Sequence, residues 1–520
     1  MSTTATPAFT CTLLENHKDE IAGILHCADR ILIAGSLADC AHPKAMAQHL
    51  SRVGVRFEAM PQYFQTFVQP LKDNAKRLAK AADIPVTFVN KGHVRKETLV
   101  QKLNAERLAR KDPDTPPQLD YELIAVLAVV EGGKQYGYCR NRLTGRTELT
   151  LRDSRYEHLY FYVEDTDLGL LHLRVPTRPP FQLQLCLNGH DWLGCQMDKA
   201  GLVFVQEDNC FSDISDWDKA QQLADGLSID LLREKLNYYA ACFCPVQEAF
   251  HNEYYWGIWQ FEYSTDIVFK NPADLAPLYE QLSREAMLTI RVPQVCQFLE
   301  TPQHPGMEYN SRFQTIREGR TIKHVLDRNS IKLYDKKGIM LRIETTSNDV
   351  TSFKVHRKVE HRGGSASYQT VDARKYIYEM PLLMPVFRRC NQRYLVHLSG
   401  LADHSKGVKA LGKLTKDRKN DDKKIKGINF FDPLDADFVR MILDPAFALQ
   451  GFTRKKLAEG LAALGKPLHW FSRQCLRLRN LGIIHKIKRT RRYQLTDSAR
   501  SSLPAALRTV LEQIIPCLNT

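Results

Sequence analysis

FSRQCLRLRNLGIIHKIKRTRRYQLTD, residues 471–497, reads as a helix that stops at a glycine and passes at once into a β-hairpin. Leu468, Phe471, Cys475 and Leu478 recur at three- and four-residue spacing and define a core face, which leaves Trp470, Arg473, Gln474 and Arg477 on the opposite stripe. Asn480-Leu481-Gly482 ends the helix. Ile483 to Lys488 and Arg491 to Thr496 are the two strands, joined by Lys488-Arg489-Thr490-Arg491. Upstream, Thr453 is placed to cap a helix carrying Leu457, Leu461 and Leu464 on one face, and Leu464-Gly465-Lys466-Pro467 is a tight turn.

This order of helix, turn, helix and hairpin resembles the winged helix of bacterial transcription regulators, as do the residues LRNLGIIHKI and RRYQLTD. The resemblance implies a helix in the major groove and a wing along the phosphate backbone. It makes Trp470, Arg473, Gln474 and Arg477 the readers, Lys486, Lys488, Arg489, Arg491 and Arg492 the wing contacts, and Arg454 and Lys455 flanking contacts. The charge agrees: Gly451 to Arg500 holds thirteen Lys and Arg against two acids, out of a net +14 for the whole chain. A cluster of arginines at a hairpin tip is costly except beside phosphate, which argues against a winged helix used for protein contacts.

At 520 residues the chain is too long for one core, and three or four domains are expected. No apolar run approaches the roughly 18 residues of a membrane span, and the first residues lack a secretion signal, so a cytoplasmic protein without membrane contact is expected. The thirteen cysteines are scattered, several in apolar runs, and read as free buried thiols; Cys242-Phe243-Cys244 has no second pair at zinc distance. The fold class is α+β (mixed α/β) and multidomain, with an antiparallel-sheet body. Residues 1–115 read as an α/β domain and 116–245 as an antiparallel sheet with helices. Residues 246–385 read as a second sheet unit, 386–445 as a helical and basic linker, and 446–520 as the winged helix. The turn-rich DPDTPP at 112–117 marks the first boundary, and nine basic against four acidic residues from Leu401 to Gly427 read as an exposed linker. No internal sequence repeat is visible.

No standard enzyme signature is present: no Walker loop, GxSxG, HExxH or paired-histidine metal motif. The chemistry-bearing cluster lies in the second sheet unit, on QFEYSTD (260–266), TIKH (321–324), SIKLYDK (330–336) and LRIE (341–344). Strand alternation puts Glu262 on one face with Asp266, Lys332 with Tyr334 and Lys336, and Arg342 with Glu344. Lys323 and His324 lie on the neighbouring strand. In such a group Glu262, Asp266 and Glu344 can hold a divalent metal, Mg or Mn, while Tyr334 attacks a phosphodiester and Lys336 and Arg342 stabilise the developing charge. The competing reading is a set of cross-strand ion pairs on a solvated sheet face.

At these residues, EYSTD followed by IKLYDK and LRIE, the sequence resembles rolling-circle replication initiators of plasmids and filamentous phages. The likeness spans about Trp256 to Lys354. It implies a sheet that binds single-stranded DNA and a tyrosine that cleaves it and stays attached; Tyr263 and Tyr309 are the other tyrosines of the region. HLYFYV, LRVPT and LNGHDW, with the winged helix, are similar to an uncharacterised family of bacterial mobile-element-like proteins. In that stretch Tyr160, Phe161 and Tyr162, with Arg174 and Arg178, read either as a stacking platform for unpaired bases or, more often for such strands, as core; His190 reads as a helix-start residue. The expected function is nucleic-acid binding with mobile-element or replication-type DNA processing. DNA is the expected partner. The alternative is a non-catalytic DNA- or RNA-binding protein.

Overall fold

Apolar residues run almost unbroken from Ile21 to Leu37, and the chain is extended through all of them as β1 (Ile21–Leu37), although Asp29 and Arg30 interrupt the run. The computed structural model describes residues 11–510, except 90–94, 111–119, 143–144, 252, 317–318, 362–363, 403, 421–422, 445–446, 448–450 and 488–489, and divides the chain into two units, residues 1–400 and 401–520. The architecture is α+β and multidomain.

In the first unit, β2 (Val86–Val89), β3 (Tyr121–Arg140), β4 (Thr147–Asp165), β5 (Gly169–Pro176) and β6 (Leu183–Asn188) follow β1. A small hairpin, β7 (Phe204–Gln206) and β8 (Phe211–Ile214), comes next, then β9 (Tyr254–Phe269), β10 (Tyr309–Ile316), β11 (Gly319–Leu326), β12 (Asn329–Lys336) and β13 (Met340–Ser347). Apart from that hairpin, these strands form one eleven-stranded sheet in the order β10-β11-β12-β13-β9-β1-β6-β5-β4-β3-β2. All its pairings are antiparallel except β2 on β3. A separate ribbon, β14 (Lys354–Glu360) with β15 (Ala366–Asp372), follows β13.

The connection pattern occurs twice. β1 leads through helices and the edge strand β2 into the meander β3-β4-β5-β6, whose last strand returns to pair with β1; β9 leads through helices alone into β10-β11-β12-β13, whose last strand returns to β9. The two halves join where β1 and β9 pair antiparallel, from Ile21 opposite Phe269 to Leu37 opposite Tyr254. Residues 1–115, 116–245 and 246–385 are therefore not three domains. β1, expected in an N-terminal domain, is the central strand of the body, because both of its edges find partners far along the chain. The break at 112–117 lies outside the described residues.

One face of the sheet is closed by helices: Phe161 of β4 stacks on Phe243 at 4.4 Å, Phe261 of β9 meets Phe387 at 5.3 Å, and His324 of β11 faces Tyr394 at 5.9 Å. On the other face the helix Lys96–Arg110 covers Tyr160 and Tyr162 through Val100, Leu99 and Leu103. Tyr160, Phe161 and Tyr162 are thus core residues, not a stacking platform. No described helix is long and apolar enough to cross a membrane, and every cysteine among the described residues is free.

The second unit contains the expected helix, turn, helix and hairpin: Ala458–Ala463, Leu468–Asn480, β18 (Ile484–Lys486) and β19 (Tyr493–Leu495). Gly465 and Gly482 take φ of 64° and 73° at the turn and the helix end, where glycine carries no steric cost. Residues 386–445 are not a linker: 386–400 belong to the helix Met380–Ala402, which packs on the sheet of the first unit through Phe387 and Tyr394, and the part from Leu401 on belongs to the second unit. That part forms the helices His404–Thr415 and Pro433–Ile442 and the hairpin β16 (Arg418–Asn420) with β17 (Lys423–Ile425). Leu414, Ile428, Phe430, Phe438, Val439 and Ile442 share one core with Phe452, Leu461, Phe471 and Cys475. Its lysines are interleaved with apolar residues at helical and strand spacing, and the apolar residues decide the packing.

Candidate functional site

Opposite Glu262 of β9, β1 places two residues where one would continue the ladder: Ala28 faces Tyr263 and Ile31 faces Phe261, so Asp29 and Arg30 form a β-bulge. The bulge brings both into a cavity of about 390 Å³ lined by Glu262, Thr321, Lys323, Lys332, Tyr334, Glu344, Asn209 and Gln314. The strand register explains the convergence, since Glu262 lies opposite Thr346, Glu344 opposite Lys332, and Lys323 opposite Lys332 on the other side.

At the cavity wall the Tyr334 hydroxyl donates to Glu344 Oε2 at 2.7 Å, and the Thr346 hydroxyl donates to Glu344 Oε1 at 3.0 Å. Lys332 is paired with Glu344 and lies 3.7 Å from Glu262. Gln260 donates to Glu262 at 2.7 Å. One oxygen each of Asp29, Glu262 and Glu344 lie within 4.8 Å of one another.

Beneath this wall is a second layer built on Arg342, which is fully buried. Its guanidinium donates twice to Asp266, at 2.6 Å each, to the Asn209 carbonyl at 2.7 Å and to Asp29 at 3.3 Å. His190 stands between Asp29 and Asp266, 3.3 Å from each. It is delivered by the first turn of the helix Gly189–Lys199, whose N-cap Asn188 accepts from the His190 amide at 3.0 Å. Gly189 is required there, since a Cβ would stand 2.0 Å from the Ala28 carbonyl oxygen, beside the bulge. Asp208, with φ 54°, turns the β7–β8 hairpin so that Asn209 reaches Asp29 at 2.8 Å.

Burial drives Glu262 up to about 7, and the charge of Glu344 adds to the shift. Burial opposes ionisation of Asp29 and Asp266 as well, but Arg342 and His190 outweigh it, and both stay below the ordinary carboxylate range. Burial and the Glu344 charge raise the Tyr334 phenol. Burial and Lys332 lower the Lys323 ammonium, whereas Lys332 is held charged, against burial, by Glu344 and Glu262.

The structure brings Glu262, Glu344, Tyr334 and Lys323 to the cavity and separates the rest of the expected set. Asp266 is no cavity ligand: it faces Arg342 across the β9–β13 ladder and is saturated by it, and Asp29 takes its place in the acidic group. Arg342 supports the floor and does not face the cavity. Lys336 is buried on Asn209. His324 lies on the opposite face, where Ser311 meets its Nδ1 at 2.8 Å. Asp29, Arg30 and Asn209 were not anticipated. A charged pair inside the apolar run HCADRILIAG was the available signal.

Asp29, Glu262 and Glu344 offer hard oxygen donors at a spacing suited to a divalent ion, with the Lys332 ammonium now balancing two of them. Because Glu262 must lose its proton to serve, affinity for Mn²⁺ is expected to rise about tenfold from pH 6 to pH 8. In Glu262→Gln that dependence is expected to flatten. Calorimetric titration at both pH values measures it, and a flat wild-type profile would remove Glu262 from the ligand set.

In the second unit, Arg477 is not a free reader: both terminal nitrogens meet Asp435 at 2.8 Å, and Nε donates to the Lys426 carbonyl at 2.9 Å. Trp470 packs edge-on against Phe438 at 5.1 Å, and Gln474 accepts from Arg477. Arg473, Lys486, Arg491, Arg492, Arg454 and Lys455 are exposed, while Lys488 and Arg489 lie outside the described residues. Arg477→Ala is therefore expected to destabilise this unit by about 2 kcal/mol, because Asp435 is left buried without its charged partner. Amide hydrogen exchange of the helix Leu468–Asn480 in the full-length protein tests this; unchanged protection with altered base preference would return Arg477 to the reading face. The chain matches no protein-family model, no curated protein and no solved structure.

Proposed function

We propose that this chain is a cytoplasmic, mobile-element or replication-type DNA-processing protein, in which the winged helix selects a site and Tyr334 cuts and rejoins a strand. The observation that carries the reading is the 2.7 Å hydrogen bond from the Tyr334 hydroxyl to Glu344 inside a cavity that also holds Asp29, Glu262, Lys323 and Lys332. Glu344 is placed to take the phenolic proton as the tyrosine oxygen forms a bond to phosphorus. The bond from phosphorus to the leaving sugar oxygen breaks, that oxygen takes up a proton, and rejoining reverses both exchanges. A divalent ion held by Asp29, Glu262 and Glu344 would supply electrostatic stabilisation of the phosphoryl oxygens. Beside the Lys332 that balances Glu344 and Glu262, Lys323 and Arg30 line the same cavity and favour an anionic substrate.

The exposed cations Arg454, Lys455, Arg473, Lys486 and Arg491 support a duplex-binding role for the second unit, with binding that weakens steeply as salt rises. Non-catalytic binding to DNA or RNA is favoured by one specific feature, the pairing of Lys332 with Glu344 and Glu262, which already balances the acids. Incubating the full-length protein with Mg²⁺ or Mn²⁺ and single-stranded or supercoiled DNA from its own genomic neighbourhood separates the two. A protein–DNA adduct stable to denaturant is expected, and its absence on every such substrate would leave the binding reading in its place.

A further inference from the structure

The sheet face that carries the cavity at Tyr334 continues along β1 and β9. Along β1 the alternate residues Arg30, Leu32, Ala34 and Ser36 share one face, and β6 sets Asn188, Cys186 and Gln184 beside the first three. On β9 the register slips once, from Gln260 opposite Leu32 to Ile258 opposite Ile33, so Trp259 is an extra residue. That slip puts Tyr255 and Gly257 on the same face as Gln260 and Glu262. The face therefore leads from the acidic cavity, past the buried Leu32 and the half-buried Gln260, to a second hollow of about 450 Å³, roughly 20 Å away along the strands.

The second hollow is walled by aromatic rings and flanked by cations. Tyr255 is 64% exposed, Trp259 49% and Tyr376 55%. The floor between them is shallow because Ala34 and Gly257 pair across it. Arg328 and Lys375 stand at its edge, more than half exposed, each reaching toward Asp349, at 3.9 and 3.4 Å. Tyr376 and Lys375 are held in place by main-chain contacts, since the Ile258 amide donates to the Lys375 carbonyl at 2.6 Å and Gly257 bridges Tyr376.

We propose that this hollow seats unpaired bases of a nucleic-acid strand whose phosphodiester lies at Tyr334. The proposal rests on the strand-processing reading for its direction but not for its test. Rings standing out from a sheet, with cations beside them, match a strand that offers flat base faces and a charged backbone together. A duplex offers no such faces, because its bases are covered by their neighbours. The hollow therefore selects single-stranded DNA or RNA, or a melted segment of duplex.

Full-length protein without divalent ions is titrated into fluorescein-labelled oligothymidylate, oligouridylate and a duplex. Trp259→Ala and Tyr255→Ala are each expected to weaken binding of one or both single strands by about 5- to 150-fold and to leave duplex binding unchanged. Tyr376→Ala and the pair Arg328→Ala with Lys375→Ala give independent readings, the latter with a reduced salt dependence. Wild-type protein that binds neither single strand, or variants that bind them as wild type does, would overturn the proposal, as would equal losses on the duplex. Failure of the two ideas is distinguishable. Groove variants that lose strand binding in a protein that never forms an adduct retain the groove and remove the chemistry. Normal adduct formation by the same variants at limiting strand concentration does the reverse.

Discussion

Tyr334→Phe is expected to form no covalent adduct on any strand, while still binding that strand. The linking oxygen is gone, and the two other tyrosines of the region are engaged elsewhere: Tyr263 lies opposite Thr345 on the core face and is fully buried, and the Tyr309 hydroxyl donates to the Ile290 carbonyl at 3.4 Å. The ring itself remains, so the packing that sets the Arg342 guanidinium 6.0 Å from the Tyr334 ring survives and the fold is expected to hold. What the variant loses in stability is the hydrogen bond to Glu344 Oε2, about 1–3 kcal/mol for a buried acceptor left without that donor. Glu344→Gln keeps the tyrosine and removes the base, and is expected to slow adduct formation by about 10²- to 10⁴-fold. Denaturing gels of reactions with labelled strands read both. An adduct formed by Tyr334→Phe would move the chemistry elsewhere, and Glu344→Gln reacting at the wild-type rate would remove the proposed proton acceptor.

Arg342→Met is expected to destabilise the first unit by about 3–5 kcal/mol, because removing one partner of a buried ion pair leaves the others charged and dry. Asp266 would lose two hydrogen bonds and Asp29 one. Both acids have depressed pKa values in the folded protein, so their pairing contributes stability above the ordinary carboxylate pKa of about 4 and loses it as pH falls through their lower folded values. The variant should therefore be less sensitive to acid than wild type as well as weaker at pH 7. Adding Asp266→Leu is expected to recover part of the loss. Denaturant unfolding in a Trp470→Phe background places every remaining tryptophan in residues 1–400. A midpoint unmoved by Arg342→Met would mean that the network contributes nothing to folding.

The parts of the molecule that sequence reasoning reached are those built from neighbours in the chain. The helix Leu468–Asn480 and its hairpin follow from apolar spacing and a glycine stop, and the shared face of Lys332 and Tyr334 follows from strand alternation. What escaped it depends on partners far away. That Asp266 is consumed by Arg342, and that Asp29 enters beside Glu262, are properties of register and of one bulge, which no local pattern encodes. Arg477 looked like a reader because its stripe is polar, yet Asp435 on another helix claims it. The single sheet was hidden for the same reason: the two halves share a connection pattern but no recognisable sequence repeat.

The pairing of β1 with β9 has a consequence for synthesis. β1 ends at residue 37, while the partners for its two edges finish at residues 188 and 269. At about 5–20 residues per second, a ribosome leaves roughly 10–50 s between the making of β1 and the completion of β9. Throughout that interval the apolar segment ILIAGSL has no permanent neighbour along at least one edge, which is the condition under which strands pair with the wrong chain. Yield in the cell should therefore depend on chaperone supply and on translation speed between codons 37 and 269 more than on the final stability of the folded body.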